Sequence, residues 1–232
     1  MSHTGKQELT DRLAQLGCAA LVDAMGRVHS HRAHMLAMTS PSPDTPVCGP
    51  AVTIAYMPYR DDLPESERDF GFYFDQAVGT SPDGRVLVLS SGGSPDVSHG
   101  GGTKLLRVAT HRMAGVLADG RLRDFGELRA NEVAAWCRGE ATHWGGSSVM
   151  PYAANIAVEC AGVCIVPGDL VYADASGGVV IPAGSVDRVL QEAESMDADD
   201  AREAEQIRKD TPPPVNPLEL WRSSKRPAPE GS

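Results

Sequence analysis

Basic residues are in short supply. The 232-residue sequence sets 21 Lys and Arg against 31 Asp and Glu, a formal net charge of −10. A general nucleic-acid binder carries a basic face, so that class is not expected. Long apolar runs are missing as well: no stretch approaches the roughly 20 apolar residues of a membrane-spanning helix, and no membrane association is expected. An export leader is not evident either, because "MSHTGKQELTDRLAQLGCAALVDAM" begins polar and its apolar positions are interrupted by charge. The five cysteines, Cys18, Cys48, Cys137, Cys160 and Cys164, are odd in number and scattered. They suggest no disulfide framework and fit a reducing, cytoplasmic setting. Cys160 and Cys164 are spaced too widely for a CxxC motif and lie in an apolar, strand-like run, which makes them small core residues. His29, His31 and His34 have no set of cysteines or carboxylates to complete a zinc spacing.

What remains is an ordinary globular composition, 41% hydrophobic and 22% charged. It suits one α/β domain over residues 1–210, with a proline-rich arm or tail over 211–232 in which Trp221 favours a packed arm. Along the domain, Leu9, Leu13, Leu16, Ala20 and Leu21 recur at helical spacing and predict a helix over 8–25, with Thr10 as a candidate cap. "AVTIAYM" (51–57) and "RVLVLSS" (85–91) read as strands, the second apolar throughout, as in a parallel sheet buried on both faces. A glycine loop follows, then a helix from about Gly102 to Arg112, then the strand "AGVLADG". Together these make a βαβ unit. On its helix Leu105, Val108 and Ala109 share one face, leaving Lys104, Arg107 and His111 to water. A further helix is predicted over 125–138. The β-rich stretch "NIAVECAGVCIVPGDLVYADASGGVVIP" has turns at "PGD" and "DASGG", and a long acidic helix or helix pair closes the domain.

Ligands of parallel sheets gather beyond the carboxyl ends of the strands. Here those ends are the loop after Ser91 and the turn at 119–124, so the two should meet in space. Free amides at the helix start, over Gly101, Gly102, Thr103 and Lys104, would attract a carboxylate or phosphate. The spacing is neither a Walker loop nor GxGxxG, and taken alone the glycines could merely permit a tight turn. Arg123 adds a planar fork suited to a carboxylate. Its neighbour Asp124 could hold a Mg²⁺ that keeps several waters, or could simply pair with Arg123 on the surface. Neighbours on a strand point to opposite faces, so the backbone must turn for both to serve one site, and Asp119-Gly120 offers such a turn. His99 lies in the glycine loop, nearest the site of all the histidines.

The motifs "LVDAMGR" (21–27), "CGPAVTI" (48–54), "GRVLVLSSGG" (84–93), "GGTKLLRVATHRMAGVLADGRLRD" (101–124) and "VCIVPGDLVYADASGGVVIP" (163–182) cover, in order and spacing, roughly residues 8–210. The sequence thereby resembles the RraA-like family. That family includes 4-hydroxy-4-methyl-2-oxoglutarate aldolases with oxaloacetate decarboxylase activity and the regulator of ribonuclease activity A. The resemblance implies a compact α/β domain, a βαβ-containing sheet core flanked by helices, assembled as a homotrimer or homohexamer with sites between subunits. It implies a divalent metal, Mg²⁺ or Mn²⁺, held by Asp124, and a pyruvate-like 2-oxo acid held by Arg123 and the amides of Gly101, Gly102, Thr103 and Lys104. The metal would polarise the 2-oxo group and stabilise the enolate formed by carbon–carbon cleavage. Glu203, on the acidic C-terminal helix, is the nearest match to the base that a neighbouring subunit supplies in the aldolases.

Two departures stand out. The position commonly acidic in the family, where it helps hold the metal's waters, is here Gly102; His99 or Asp96 could fill in. An acid restored by Gly102→Asp would on this reading raise metal affinity, provided that the backbone tolerates a side chain there. The loop 58–74 is unlike that of a standard aldolase. The expected function is therefore a metal-dependent lyase acting on a 2-oxo acid, by retro-aldol cleavage or oxaloacetate decarboxylation with release of pyruvate. The alternatives are a non-catalytic regulator that binds another protein and a family member recruited to a different reaction on a related oxo acid.

Overall fold

The computed structural model describes residues 3–210 and 216–224. Helix α1 (His3–Val28) leads through the short β1 (His34–Met35) to the long strand β2 (Val47–Pro58). A loop with one 3₁₀ turn precedes α2 (Phe70–Val78) and β3 (Val86–Leu89). The centre is β4 (Ser98–Gly100), α3 (Gly102–Thr110), β5 (Gly115–Ala118), β6 (Arg121–Leu122), α4 (Phe125–Ala130) and β7 (Ala135–Trp136). Five strands follow, β8 (Val149–Ala154), β9 (Val158–Cys160), β10 (Val163–Ile165), β11 (Leu170–Asp174) and β12 (Gly177–Ile181). Helices α5 (Val186–Asp210) and α6 (Pro217–Ser224) close the described chain.

Strands β2, β3, β5 and β7 run parallel, and β11, β12 and β1 extend the same sheet with antiparallel pairing. The far end of β2 also pairs with β8. Because side chains alternate across a strand, Val52 and Ile54 face α2, α3 and α4, and meet Phe74, Leu105, Val108 and Leu128. Their neighbours Ala51 and Ala55 face a second core with Trp136, Val158 and Ile165. All four residues of β3 are buried, as its unbroken apolar character predicts. Helices α1 and α5 pack on each other and cover the β11–β12 end through Leu13, Leu21, Tyr172 and Leu190.

Several expectations need correction. α1 starts well before Thr10, which lies inside it, and breaks at Gly17, whose φ of +77° is non-helical. The helix expected over 125–138 stops at Ala130, because Glu132 takes a left-handed φ of +53° and the run Val133–Trp136 is buried at every position, which one helical face cannot achieve. That run is instead the edge of the parallel sheet. Cys160 is a core residue, but Cys164 is exposed, since period-two alternation along β10 turns it outward. The polar side of α3 is not left to water: Lys104 lies over the ring of Phe70, 5.3 Å from its centroid, and His111 packs edge-on against Phe74. In the 211–232 segment the described part is α6, where Trp221 is exposed, and the rest of that predicted arm or tail lies outside the described residues.

Candidate active site

The two loops beyond the strand ends do meet, and a small parallel ribbon joins them. β4 pairs with β6, Ser98 opposite Arg121 and Gly100 opposite Leu122, and the Arg123 amide donates to the Gly100 carbonyl at 2.8 Å. The chain bends at Asp119-Gly120 as expected, and turns again at Asp124 itself, with φ +62° and ψ +46°. Aspartate tolerates this left-handed conformation better than most residues. Asp119 instead forms an ion pair, its carboxylate, 4% exposed, bound by Arg138 at 2.7 and 2.9 Å. Sequence reasoning missed this pair because its partners lie 19 positions apart on two strand ends.

At the start of α3 the first intrahelical bond runs from the Leu105 amide to the Gly101 carbonyl. The amides of Gly102, Thr103 and Lys104 therefore lack helical acceptors. That of Gly102 donates to Asp124 Oδ2 at 3.2 Å, which leaves those of Thr103 and Lys104 for an incoming anion. Gly101 is extended, with φ −151°, so its glycine serves space rather than conformation. A Cβ there would lie 2.5 Å from Asp124 Oδ2. Gly101, Thr103, Lys104, Arg123 and Asp124 line one cavity of about 190 Å³. The side chains of Arg123 and Asp124 are each 35% exposed, with Nε and Oδ1 3.8 Å apart. Desolvation by burial holds the Lys104 ammonium below the usual lysine range, opposed by the Asp69 carboxylate and reinforced by Arg107.

Neither of the two substitutes considered for a missing acid at Gly102 lines the cavity that holds Arg123 and Asp124. His99 is buried, its ring nitrogens 3.0 Å from the carbonyls of Val97 and Ser91, and burial pushes its pKa down. Asp96 pairs with Arg121 at 3.4 Å. Instead Glu127, one helical turn beyond Asp124 on α4, lays its carboxylate against Gly102, in the place a residue-102 side chain would take. A Cβ at Gly102 would also lie 2.8 Å from the Glu127 Cβ. Space, not backbone conformation, is thus what excludes a side chain there. Gly102→Asp should accordingly destabilise the fold by about 1–3 kcal/mol through overpacking, not strengthen a metal site; a thermal melt equal to that of the parent protein would contradict this. Glu203 sits exposed on the outer half of α5, and no described contact brings it to the other site residues within one chain.

The donor set suits a hard divalent ion. The Asp124 and Glu127 carboxylates flank the two glycines, and among the described residues no group of three His, Cys, Asp or Glu side chains forms an all-protein cage. Mg²⁺ is commonly held by one or two carboxylates while keeping several waters.

An α/β sheet whose strand ends bring a glycine helix start, an arginine and an aspartate around one cavity places this chain among the proteins the motifs resemble. Residues 18–181 match the RraA-like family, described as Aldolase/RraA, and the chain belongs to that family. A relative from Halalkalibacterium halodurans, named "Putative 4-hydroxy-4-methyl-2-oxoglutarate aldolase", is 35% identical over 129 residues, 55% of this chain and 61% of its own length. The match therefore spans less than two thirds of that relative. The structure of Streptomyces coelicolor RraAS2, called an unusual member of the RNase ES inhibitor RraA protein family, aligns with a TM-score of 0.73 at 27% identity, over 87% of this chain and 98% of that one. An uncharacterized protein from Pseudomonas syringae pv. tomato aligns with a TM-score of 0.72 at 25% identity, over 93% and 97%. Among the described residues no helix is long and apolar enough to cross a membrane.

Proposed function

We propose that this protein is a divalent-metal-dependent carbon–carbon lyase that cleaves a 2-oxo acid to release pyruvate, by retro-aldol cleavage, oxaloacetate decarboxylation or both. The observation that carries the reading is the convergence of the Thr103 and Lys104 amides, the Arg123 guanidinium and the Asp124 carboxylate on one cavity. The Asp124 carboxylate, with Glu127 beside it against Gly102, would hold Mg²⁺ or Mn²⁺, which would supply Lewis-acid stabilisation of negative charge on the 2-oxo oxygen. The chain's own groups do the positioning. Arg123 takes the substrate carboxylate in its fork, and the helix-start amides receive the same group end-on, aided by the helix dipole. This fixes the bond to be broken relative to the carboxylates. The exposed Glu203 fits a role in a neighbouring copy's site if the protein assembles as a trimer or hexamer.

Arg123→Lys tests the fork. A point charge cannot span both carboxylate oxygens, and a charged hydrogen bond to substrate is worth about 1.5–3 kcal/mol. The variant should lose roughly 10- to 100-fold in kcat/KM for oxaloacetate with little change in melting temperature. Unchanged kinetics would remove Arg123 from the site. A purely regulatory protein would show no turnover for Arg123 to affect.

A further inference from the structure

A second cavity of about 200 Å³ adjoins the first and shares Ser98, Lys104 and Trp144 with it. The oxo-acid end of a substrate occupies the first, so the second receives whatever lies beyond the bond that breaks. Much of its wall comes from the loop that precedes α2, through Tyr59, Glu65, Arg68 and Asp69, and from the start of β8; the rest of the 58–74 segment, expected as loop, is the first turn of α2. Two features define its chemistry.

The first is charge. Arg68 and Lys104 are matched in number by Glu65 and Asp69, and each cation lies over an aromatic ring. The Arg68 guanidinium lies over the Tyr59 ring, 5.2 Å from its centroid, and donates to that residue's hydroxyl. The Lys104 ammonium faces the Phe70 ring, with the Asp69 carboxylate supporting its charge. With two cations and two carboxylates on its lining, the cavity has no excess positive charge to draw a second carboxylate, unlike the first cavity with Arg123 and the helix-start amides. The second feature is aromatic surface. Trp144 is 58% exposed at the junction of the cavities, and Tyr59 and the apolar edge Val149–Pro151 face the same space. A flat uncharged ring gains stacked or edge-to-face contact in such a place.

We infer that the second cavity binds an aromatic ring on the leaving half of the substrate, so that the class cleaved is a 4-aryl-4-hydroxy-2-oxo acid. This rests on the lyase reading for the first cavity. In the reaction the C3–C4 bond breaks, and the C4 hydroxyl loses its proton to become the carbonyl of an aromatic aldehyde. The bonding pair passes to C3 as the enolate of pyruvate, which then takes up a proton. No oxidant or reductant is needed. The cavity's volume, below the ~300–1,000 Å³ of a full ligand pocket, suits a single ring.

The test uses two non-cleavable ligands of similar length that differ at the far end, 4-phenyl-2-oxobutanoate and 2-oxoglutarate, with Mn²⁺ present. Titration calorimetry on the full chain should show the phenyl compound binding at least tenfold more tightly. That advantage should vanish in Trp144→Ala and persist in Trp144→Phe, whose retained ring also controls for folding. Equal or tighter binding of 2-oxoglutarate, no binding of either compound, or an advantage that survives Trp144→Ala would overturn the inference. Oxaloacetate turnover by the same preparation reports separately on the lyase reading: turnover without phenyl preference removes only the aromatic assignment.

Discussion

Replacing Asp124 by alanine is expected to abolish metal-stimulated decarboxylation of oxaloacetate, with a fall of about two to three orders of magnitude. Charge stabilisation by a metal ion is worth several kcal/mol, and about 1.4 kcal/mol is a factor of ten in rate. Asp124 also accepts the Gly102 amide and holds a left-handed backbone, so alanine disturbs the local turn as well. Asp124→Asn separates these roles. Asparagine keeps an acceptor for the amide and tolerates the left-handed region, but it lacks the charge. The asparagine variant should fold like the parent yet bind Mn²⁺ far more weakly in an electron paramagnetic resonance titration. Parent-like Mn²⁺ affinity in a folded Asp124→Asn protein would take the metal away from this residue.

The largest stability effect is expected at Asp119. Removing one partner of a buried ion pair costs about 3–5 kcal/mol, because the other charge is left uncompensated. Here Asp119 is buried but Arg138 remains 30% exposed, so solvent relieves part of the charge and the lower end, about 3 kcal/mol, applies to Asp119→Ala. That is a large share of the ~5–15 kcal/mol that holds a domain folded. The melting temperature should fall by about 6–12 °C, given ~2–4 °C per kcal/mol for a chain of this size. Activity should fall too, because Arg138 holds Asp119 in the bend that leads from β5 into β6 and hence to Arg123. A melt within 1–2 °C of the parent, where about 0.5 kcal/mol would already show, would mean that the pair is dispensable.

The sheet core was legible where the sequence repeats a period. The β-branched runs of β2 and β3, the glycine loop and the amphipathic α3 gave the βαβ unit and its order directly. Gly101 and the Arg123-Asp124 pair, picked out by their residue types, come together around one cavity. What could not be read was set by contacts between distant segments. The β4–β6 ribbon that draws the two loops together is only two to three residues wide, too short for an alternation to show. Apolar Val133–Trp136 continues the helical-looking α4 in composition, and only the left-handed Glu132 separates them. Lys104 reads as solvent-facing on α3 because nothing local reveals that α2 lies over it. Gly102 looked like a lost acid, yet the carboxylate that comes to its position belongs to Glu127, 25 residues further on. Such an exchange leaves no trace in spacing, since it depends on how α4 docks beside α3.

Whether this cavity breaks a carbon–carbon bond with the help of a metal is decided by following pyruvate release from oxaloacetate. The protein would be stripped with a chelator, assayed, and assayed again after Mg²⁺ or Mn²⁺ is restored, with the Asp124→Asn variant as the control for decarboxylation by free metal. Catalysis by a metal-dependent lyase should be lost with the metal, return with it, and exceed the control by at least about 100-fold. Pyruvate release no faster than the Asp124→Asn control under every metal condition would mean that the protein is not such a lyase.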